Sequence, residues 1–248
     1  MNDKPQVIRD TDDDARRQAR ILLRGARFAA IGVIDPQTGF PFVSRVLLGM
    51  DKDGAPVILV SALSAHTTAL NADARASLLT GEPAKGDPLA HPRLTLQCVA
   101  ERVARDSDTH GRLRGRFLAR HPKSQLYIDF PDFCFFRLVP ERASLNGGFG
   151  RAYHLSSDDF HIPKMNDDLF ADEDALLREL GGANPELATQ IAMKFHGAPN
   201  GDWRISALDS HGLDLSFKDL LIRHEFVTPI THYEELLLEL PKSVYTVP

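Results

Sequence analysis

The strongest constraint on this chain is a succession of short apolar, β-branched runs, each closed by a turn cluster. Phe28 to Ile34 is apolar and β-branched, Asp35-Pro36-Gln37-Thr38-Gly39 is a turn, and Pro41 to Leu48 returns as a second strand. Asp51-Lys52-Asp53-Gly54 is another turn, followed by the buried-looking run Val57-Ile58-Leu59-Val60. Ala76 to Leu79 reads as a strand, Gly81 to Pro92 as a loop, and Arg93 to Val103 as a long strand. In that strand Arg93, Thr95 and Gln97 share one face and Leu94, Leu96 and Cys98 the other. Phe133 to Val139 is a strand, and Ala143 to His154 a bent one whose Gly147-Gly148-Phe149-Gly150 marks a bulge or a close backbone approach. Short strands on turns argue for a barrel or a sandwich.

Helices frame these strands. Thr11 can cap a first helix, with Asp12, Asp13 and Asp14 in its first turn and Gly25 ending it in a left-handed conformation. His66 to Asn71 is a short helix. Ser107 to Arg120 is a third, ended by His121-Pro122, and its arginines 112, 114, 116 and 120 read as a solvated face with local ion pairs.

The character of the chain changes near residue 160. Pro163 to Asp168 reads as a linker, and Glu173 to Leu180 as a helix broken by Gly181-Gly182. Asn184 as N-cap and Pro185 at the first helical position open the next helix, which Gly197 closes. Asp209-Ser210-His211-Gly212 is a hairpin signal between Trp203 to Leu208 and Leu213 to Phe217, and Leu220 to Val227 adds a third strand. Thr231 and Glu234 form a capping box for a final helix ending before Pro241. The expected organisation is α+β: a small antiparallel β-barrel with flanking helices over residues 1–160, then a small C-terminal α+β domain over residues 161–248.

With 43% hydrophobic and 25% charged residues over 248 positions, there is material for a real core. A net charge of -5 provides no global field for nucleic acid, so none is expected as a partner. Cys98 and Cys134 sit in apolar runs and read as reduced core residues, and no Cys/His spacing points to a metal site. The polar, acidic start is unlike a secretory signal, and no run approaches the ~18 apolar residues of a membrane span, so no membrane partner and a cytoplasmic location are expected.

The chemistry-bearing stretch is Ser61-Ala62-Leu63-Ser64-Ala65-His66-Thr67-Thr68, which follows a buried strand and opens a helix. Hydroxyls and free backbone N–H groups at a helix start suit a phosphate dianion, with Arg45, Arg75 and Arg93 as compensating charge. On chemistry alone a capped helix start, with Ser64 as cap and His66 solvated, is the simpler reading.

Taken in order, Pro41 to Leu48, Asp53-Gly54, Val57 to Ser61, Leu63 to Thr67, Leu70 to Leu79, Gly86 to Leu89 and Arg93 to Leu96 resemble the haem-utilisation (HugZ-type) branch of the pyridoxamine phosphate oxidase-like, FMN-binding split-barrel superfamily. His121-Pro122, Tyr127, Asp129-Phe130, Asp132-Phe133 and Gly147 to Ala152 continue the match, and residues Leu208 to Leu215 and Ile222 to Phe226 resemble the small domain fused to such barrels. The resemblance implies a homodimer through the barrel, with FMN or haem in clefts between the protomers. It implies that Ser44, Arg45, Val46 and Leu47 line a ring, that Ser61, His66 and Thr67 form a phosphate-side loop, and that Arg93 and Gln97 face the cleft. Arg151 resembles a late basic residue near the pocket and is the distal-group candidate for haem. Where many relatives carry a His-Met-Asn-x-Asp-His element, this chain reads Leu177 to Asn184 without those histidines.

Of the ten histidines, His211 reads as an exposed turn residue, His224 as a partly buried strand residue and His196 as a favourable contact at a helix C-terminus. None is assigned as a ligand, and no catalytic residue stands out. The functions implied are haem utilisation or degradation, or flavin-linked redox chemistry. The alternatives are an FMN-dependent oxidoreductase acting on another small molecule and a binding or storage protein without turnover.

Overall fold

The computed structural model describes residues 8–148, 151–163, 172–232, 234–236 and 239–240. A nine-stranded sheet carries the first part of the chain and a three-stranded sheet the second. The large sheet runs β1 (Ile8–Arg9), β9 (Ala152–Ser156), β8 (Phe133–Asn146), β7 (Arg93–Arg102), β6 (Arg75–Thr80), β2 (Phe28–Ile34), β3 (Pro41–Leu47). β5 (Pro56–Ser61) pairs with β8 and with β4 (Gly49–Met50), and it lies beside β3 without being laddered to it. The sheet thus curls into a barrel that is split along one seam. All pairings are antiparallel except that of β1 with β9.

Alternation sets the inside of the barrel. Ala29, Ile31 and Val33 of β2, Val46 of β3, Leu78 of β6 and Leu94, Leu96 and Cys98 of β7 share one core with Ala15, Ala19 and Leu23 of α1 (Asp13–Arg24). A second core lies outside the barrel wall. There Val57, Leu59 and Phe135 meet Leu113 and Phe117 of α3 (Asp108–Arg120). The C-terminal unit has its own core. Leu176 and Leu180 of α4 (Glu173–Ala183), Leu187 and Ile191 of α5 (Leu187–His196) and Trp203 pack on Leu208, Leu213 and Leu215. The last two elements to be named there, β10 (Arg204–Asp209) and β11 (Gly212–Phe217), form the expected hairpin, and β12 (Leu220–Glu225) adds to it.

Local chemistry corrects several expectations. Asp12 rather than Thr11 caps α1, accepting from Ala15 N at 2.7 Å, while Thr11 Oγ1 donates to His154 O. Gly25 closes that helix at φ −76°, so no left-handed residue is used. The expected strand from Phe133 and the start of the one expected from Ala143 are one, because β8 runs through Pro140 with a bulge opposite Gln97 and Cys98, and the end of the second, Ala152 to His154, belongs to β9. α4 continues through Gly181-Gly182, since its buried leucines outweigh two glycines. Asn184 and Pro185 lie in the turn before α5, whose N-cap is Glu186. Gly197 closes α5 at φ +57°, as expected. Glu235, not Glu234, closes the Thr231 box, accepting from the Thr231 and His232 N–H groups. Pro241 and residues 164–168 of the expected linker lie outside the described residues.

The arginines of α3 are the largest departure. Arg116 and Arg120 are buried, and all four reach partners distant in sequence. Arg112 and Arg137 converge on the buried Asp51, and Arg114 pairs with Asp129. Arg116 meets Glu173 of α4, and Arg120 donates to Asp214 at 3.1 Å. From α1, Arg24 pairs with Asp209 at 2.6 Å and Arg20 with Glu225 at 2.8 Å. At the centre, Arg223 donates to both oxygens of Asp209, to Asp214 and to Glu225. This buried seam fastens the C-terminal unit to the barrel. Burial works against the Asp209 carboxylate, but Arg223 and Arg24 hold it well below the usual range. Burial likewise disfavours the charge on Arg223, yet its three carboxylate neighbours raise it above the ordinary value.

Candidate functional site

The structure distributes the candidate residues over four places. At the start of α2 (Ala65–Ala72), Ser44 Oγ lies 2.9 Å from His66 Nδ1, which joins β3 to the helix. His66 is therefore half-buried rather than solvated, and burial lowers its pKa. Ser64 is the N-cap by backbone position but makes no side-chain cap. The neighbouring hydroxyls are already engaged: Ser61 Oγ donates to Asp132 at 2.9 Å and accepts from Leu63 N, and the buried Thr67 donates to Ser61 O at 2.7 Å. This start is a cross-braced turn, and its hydroxyls would have to exchange partners to hold a phosphate.

On β3 the side chains alternate. Val46 points into the barrel core and is 4% exposed, and Leu47 packs against the outer core beside α3. Arg45 lies on the opposite face from Val46, its guanidinium 4.9 Å above the Phe28 ring. Arg93 turns back onto its own loop, donating to Leu89 O and His91 O. Arg151 is exposed on the connection between β8 and β9, where Gly147 N donates to Arg151 O at 2.7 Å. Gly148 takes φ +101° there, and a Cβ on it would stand 2.8 Å from Ala90 O, which is the close backbone approach expected of the glycine run.

Gln97 alone of the ten candidates lines the large groove on the outer face of the barrel. The groove encloses about 800 Å³ and is bordered by Arg75, Ser77, Cys98 and Arg142 as well as by Gly32 and Ile34. Gln97 accepts from Arg142 Nε at 2.5 Å, and Arg75 is held by the Asp73 carboxylate. Burial pushes the Cys98 thiol up to about 12, so it stays protonated and inert. Arg142 did not stand out in the sequence because nothing local distinguishes it; the register of β8 against β7 puts it there. A second groove of about 550 Å³ lies between α1 and β12 and is bordered by Arg27, His196 and Asp219. His196 Nε2 lies 3.2 Å from His224 Nδ1. His211 is half-buried beside Ser210 rather than exposed. Among the described residues no helix is long and apolar enough to cross a membrane.

A curled antiparallel sheet split along one seam, with a groove on its outer face and a three-stranded unit fastened behind it, defines the split-barrel class of the pyridoxamine phosphate oxidase-like type. Residues 10–162 match the family model described as CREG, beta-barrel, and the chain belongs to that family. Over 144 residues, 58% of this chain, it is 33% identical to the non-canonical heme oxygenase HOZ, chloroplastic, of Arabidopsis thaliana, covering 43% of the length of that protein. It is 31% identical over 136 residues to the heme oxygenase HutZ of Vibrio cholerae, covering 52% of this chain and 74% of that one. The solved structure of Atu2129 from Agrobacterium tumefaciens, a protein of unknown function, superposes with a TM-score of 0.80 at 29% identity, covering 94% of this chain and 96% of that one.

Proposed function

We propose that this protein binds haem in the outer-face groove of its barrel and serves haem utilisation or degradation. The observation that carries the proposal is that the chain is 33% and 31% identical to two haem oxygenases over 144 and 136 residues, and that its barrel bears an open groove. The groove offers an apolar floor for a macrocycle and the Arg75, Arg142 and Gln97 side chains for its acidic groups, with the Glu141 carboxylate also in its lining. Among the described residues no histidine borders it, so those residues supply no imidazole for the iron. Bound haem would supply the redox chemistry, while the groove residues hold the ring and its carboxylates.

The same face supports a homodimer. Phe40 (74% exposed), Val43 (65%) and Leu79 (46%) leave an apolar surface around the groove, more than isolated exposed side chains require. Pairing two such faces would enclose the groove, as the family resemblance implies. FMN fits the same family, and the test separates the two cofactors. Titrating the purified chain with haemin should produce a saturable Soret band, and titration with FMN a quenched flavin emission only if flavin is the cofactor. Uptake of neither overturns the proposal. Sedimentation should report twice the 27.5 kDa of one chain; a monomer would reject the paired face.

A further inference from the structure

One row of residues crosses five strands of the outer face. Arg142 on β8 is opposite Gln97 on β7, Gln97 is opposite Ser77 on β6, Ser77 is opposite Gly32 on β2, and Gly32 is opposite Val43 on β3. The row runs from a guanidinium through an amide and a hydroxyl to a bare backbone and then to an exposed valine. It is polar and cationic at one end and apolar at the other.

Gly32 is the anomaly in it. A glycine inside a strand destabilises it relative to alanine, and it usually marks strain, a bulge or a close approach. Gly32 is absent from the positive-φ glycines, and β2 pairs regularly on both sides of it. A Cβ built there would meet nothing nearer than Ser77 O at 3.9 Å. Neither backbone conformation nor internal packing requires glycine. What its missing side chain does is keep the groove floor flat where β6, β2 and β3 run side by side.

Arg142 is distinctive in the other direction. Arg75 on the same rim is neutralised by Asp73. Arg142 donates to the neutral Gln97 amide and makes no ion pair among the described residues. It lies three strand spacings from Gly32, about 14 Å at the usual ~4.8 Å per strand. We infer that Gly32 seats a flat conjugated ring and that Arg142 anchors the anionic tail of the same molecule. The carboxylates of a tetrapyrrole and the phosphate of a flavin nucleotide share this chemistry. The inference rests on the proposed cofactor groove and assigns its two ends.

The test uses the full chain and its Gly32→Ala, Gly32→Val, Arg142→Ala and Arg142→Lys variants, with mass in solution and circular dichroism matched to the parent. The probes are haemin, protoporphyrin IX, its dimethyl ester, FMN and riboflavin. Affinity for the ring that the parent takes up should fall stepwise from glycine to alanine to valine, by tenfold or more at valine. Arg142→Ala should weaken the acidic probe about tenfold and leave its uncharged partner, the ester or riboflavin, unchanged; Arg142→Lys should restore part of the loss. If the tetrapyrrole pair is the one separated, the tail is a carboxylate; if the flavin pair is, it is a phosphate. A parent that binds haemin or FMN while all four variants bind equally well overturns this inference and leaves the cofactor proposal standing. A parent that binds none of the probes overturns both. Should Gly32→Val fail to fold, Gly32→Ala decides the floor and the Arg142 pair decides the anchor.

Discussion

Two regions of this molecule carry arginines, and they use them in opposite ways. In the seam between barrel and C-terminal unit, Arg24, Arg116, Arg120 and Arg223 are buried and face Asp209, Asp214, Glu173 and Glu225. On the outer groove, Arg142 is exposed and its partner is a neutral amide. A buried guanidinium without a carboxylate would be costly, so the seam is matched charge for charge wherever it is driest. An exposed guanidinium costs little, so one can be kept for a ligand. Matched charge therefore holds the docking surface here, while on the candidate binding surface Arg75 is paired with Asp73 and Arg142 makes no ion pair among the described residues.

The comparison breaks most severely if the seam is cut. Replacing Arg223 with Ala leaves Asp209, Asp214 and Glu225 with less compensation inside the protein and should cost about 3–5 kcal/mol. Urea unfolding measures this, and a loss under about 1 kcal/mol would show that the seam is not held by its charges.

The next effect is one of pH and separates barrel from C-terminal unit. His121, whose Nε2–H donates to Leu48 O, and His224 are both pushed down to about 4 by burial. A free imidazole titrates near ~6.5, so the unfolded chain binds more protons between about 6.5 and 4. Stability is complete above that window and falls as pH drops through it, by up to about 1.4 kcal/mol per pH unit for each group. Urea midpoints at pH 7 and pH 5 should differ, and His224→Gln should remove the share that belongs to the C-terminal unit. Equal midpoints in the parent would refute the assignment.

The smallest effect sharpens the contrast. Arg142→Ala should change unfolding stability by no more than about 0.5 kcal/mol, because it is a surface substitution whose only side-chain hydrogen bond among the described residues is to Gln97. A large loss would place Arg142 among the structural arginines.

Much of the barrel was legible because strand alternation is a local signal. Ala29, Ile31 and Val33 had to share a face, and so did Leu94, Leu96 and Cys98. Two of the caps were legible to within a residue, Asp12 replacing Thr11 and Glu235 replacing Glu234, shifts that depend on which oxygen reaches which N–H, and a third to within two, Glu186 replacing Asn184. The site was much less legible. Ser61 and Thr67 were readable as hydroxyls at a helix start, but not as hydroxyls already bonded to Asp132 and to Ser61 O.

The alternation of apolar residues and the turn clusters determined by themselves that the first part of this chain is a barrel or sandwich of short strands, followed by a small α+β unit; the split barrel was implied by the resemblance of the ordered motifs from Ser44 onward. These properties are carried by neighbours in sequence. The tertiary structure alone decided that Arg116 and Arg120 of α3 point inward to the C-terminal unit, while Arg112 and Arg114 pair with Asp51 and Asp129. It alone placed Arg142, Gln97, Ser77 and Gly32 in one row. Strand register and helix docking join residues many positions apart, and no local pattern encodes which carboxylate an arginine meets or which glycine it faces across a sheet.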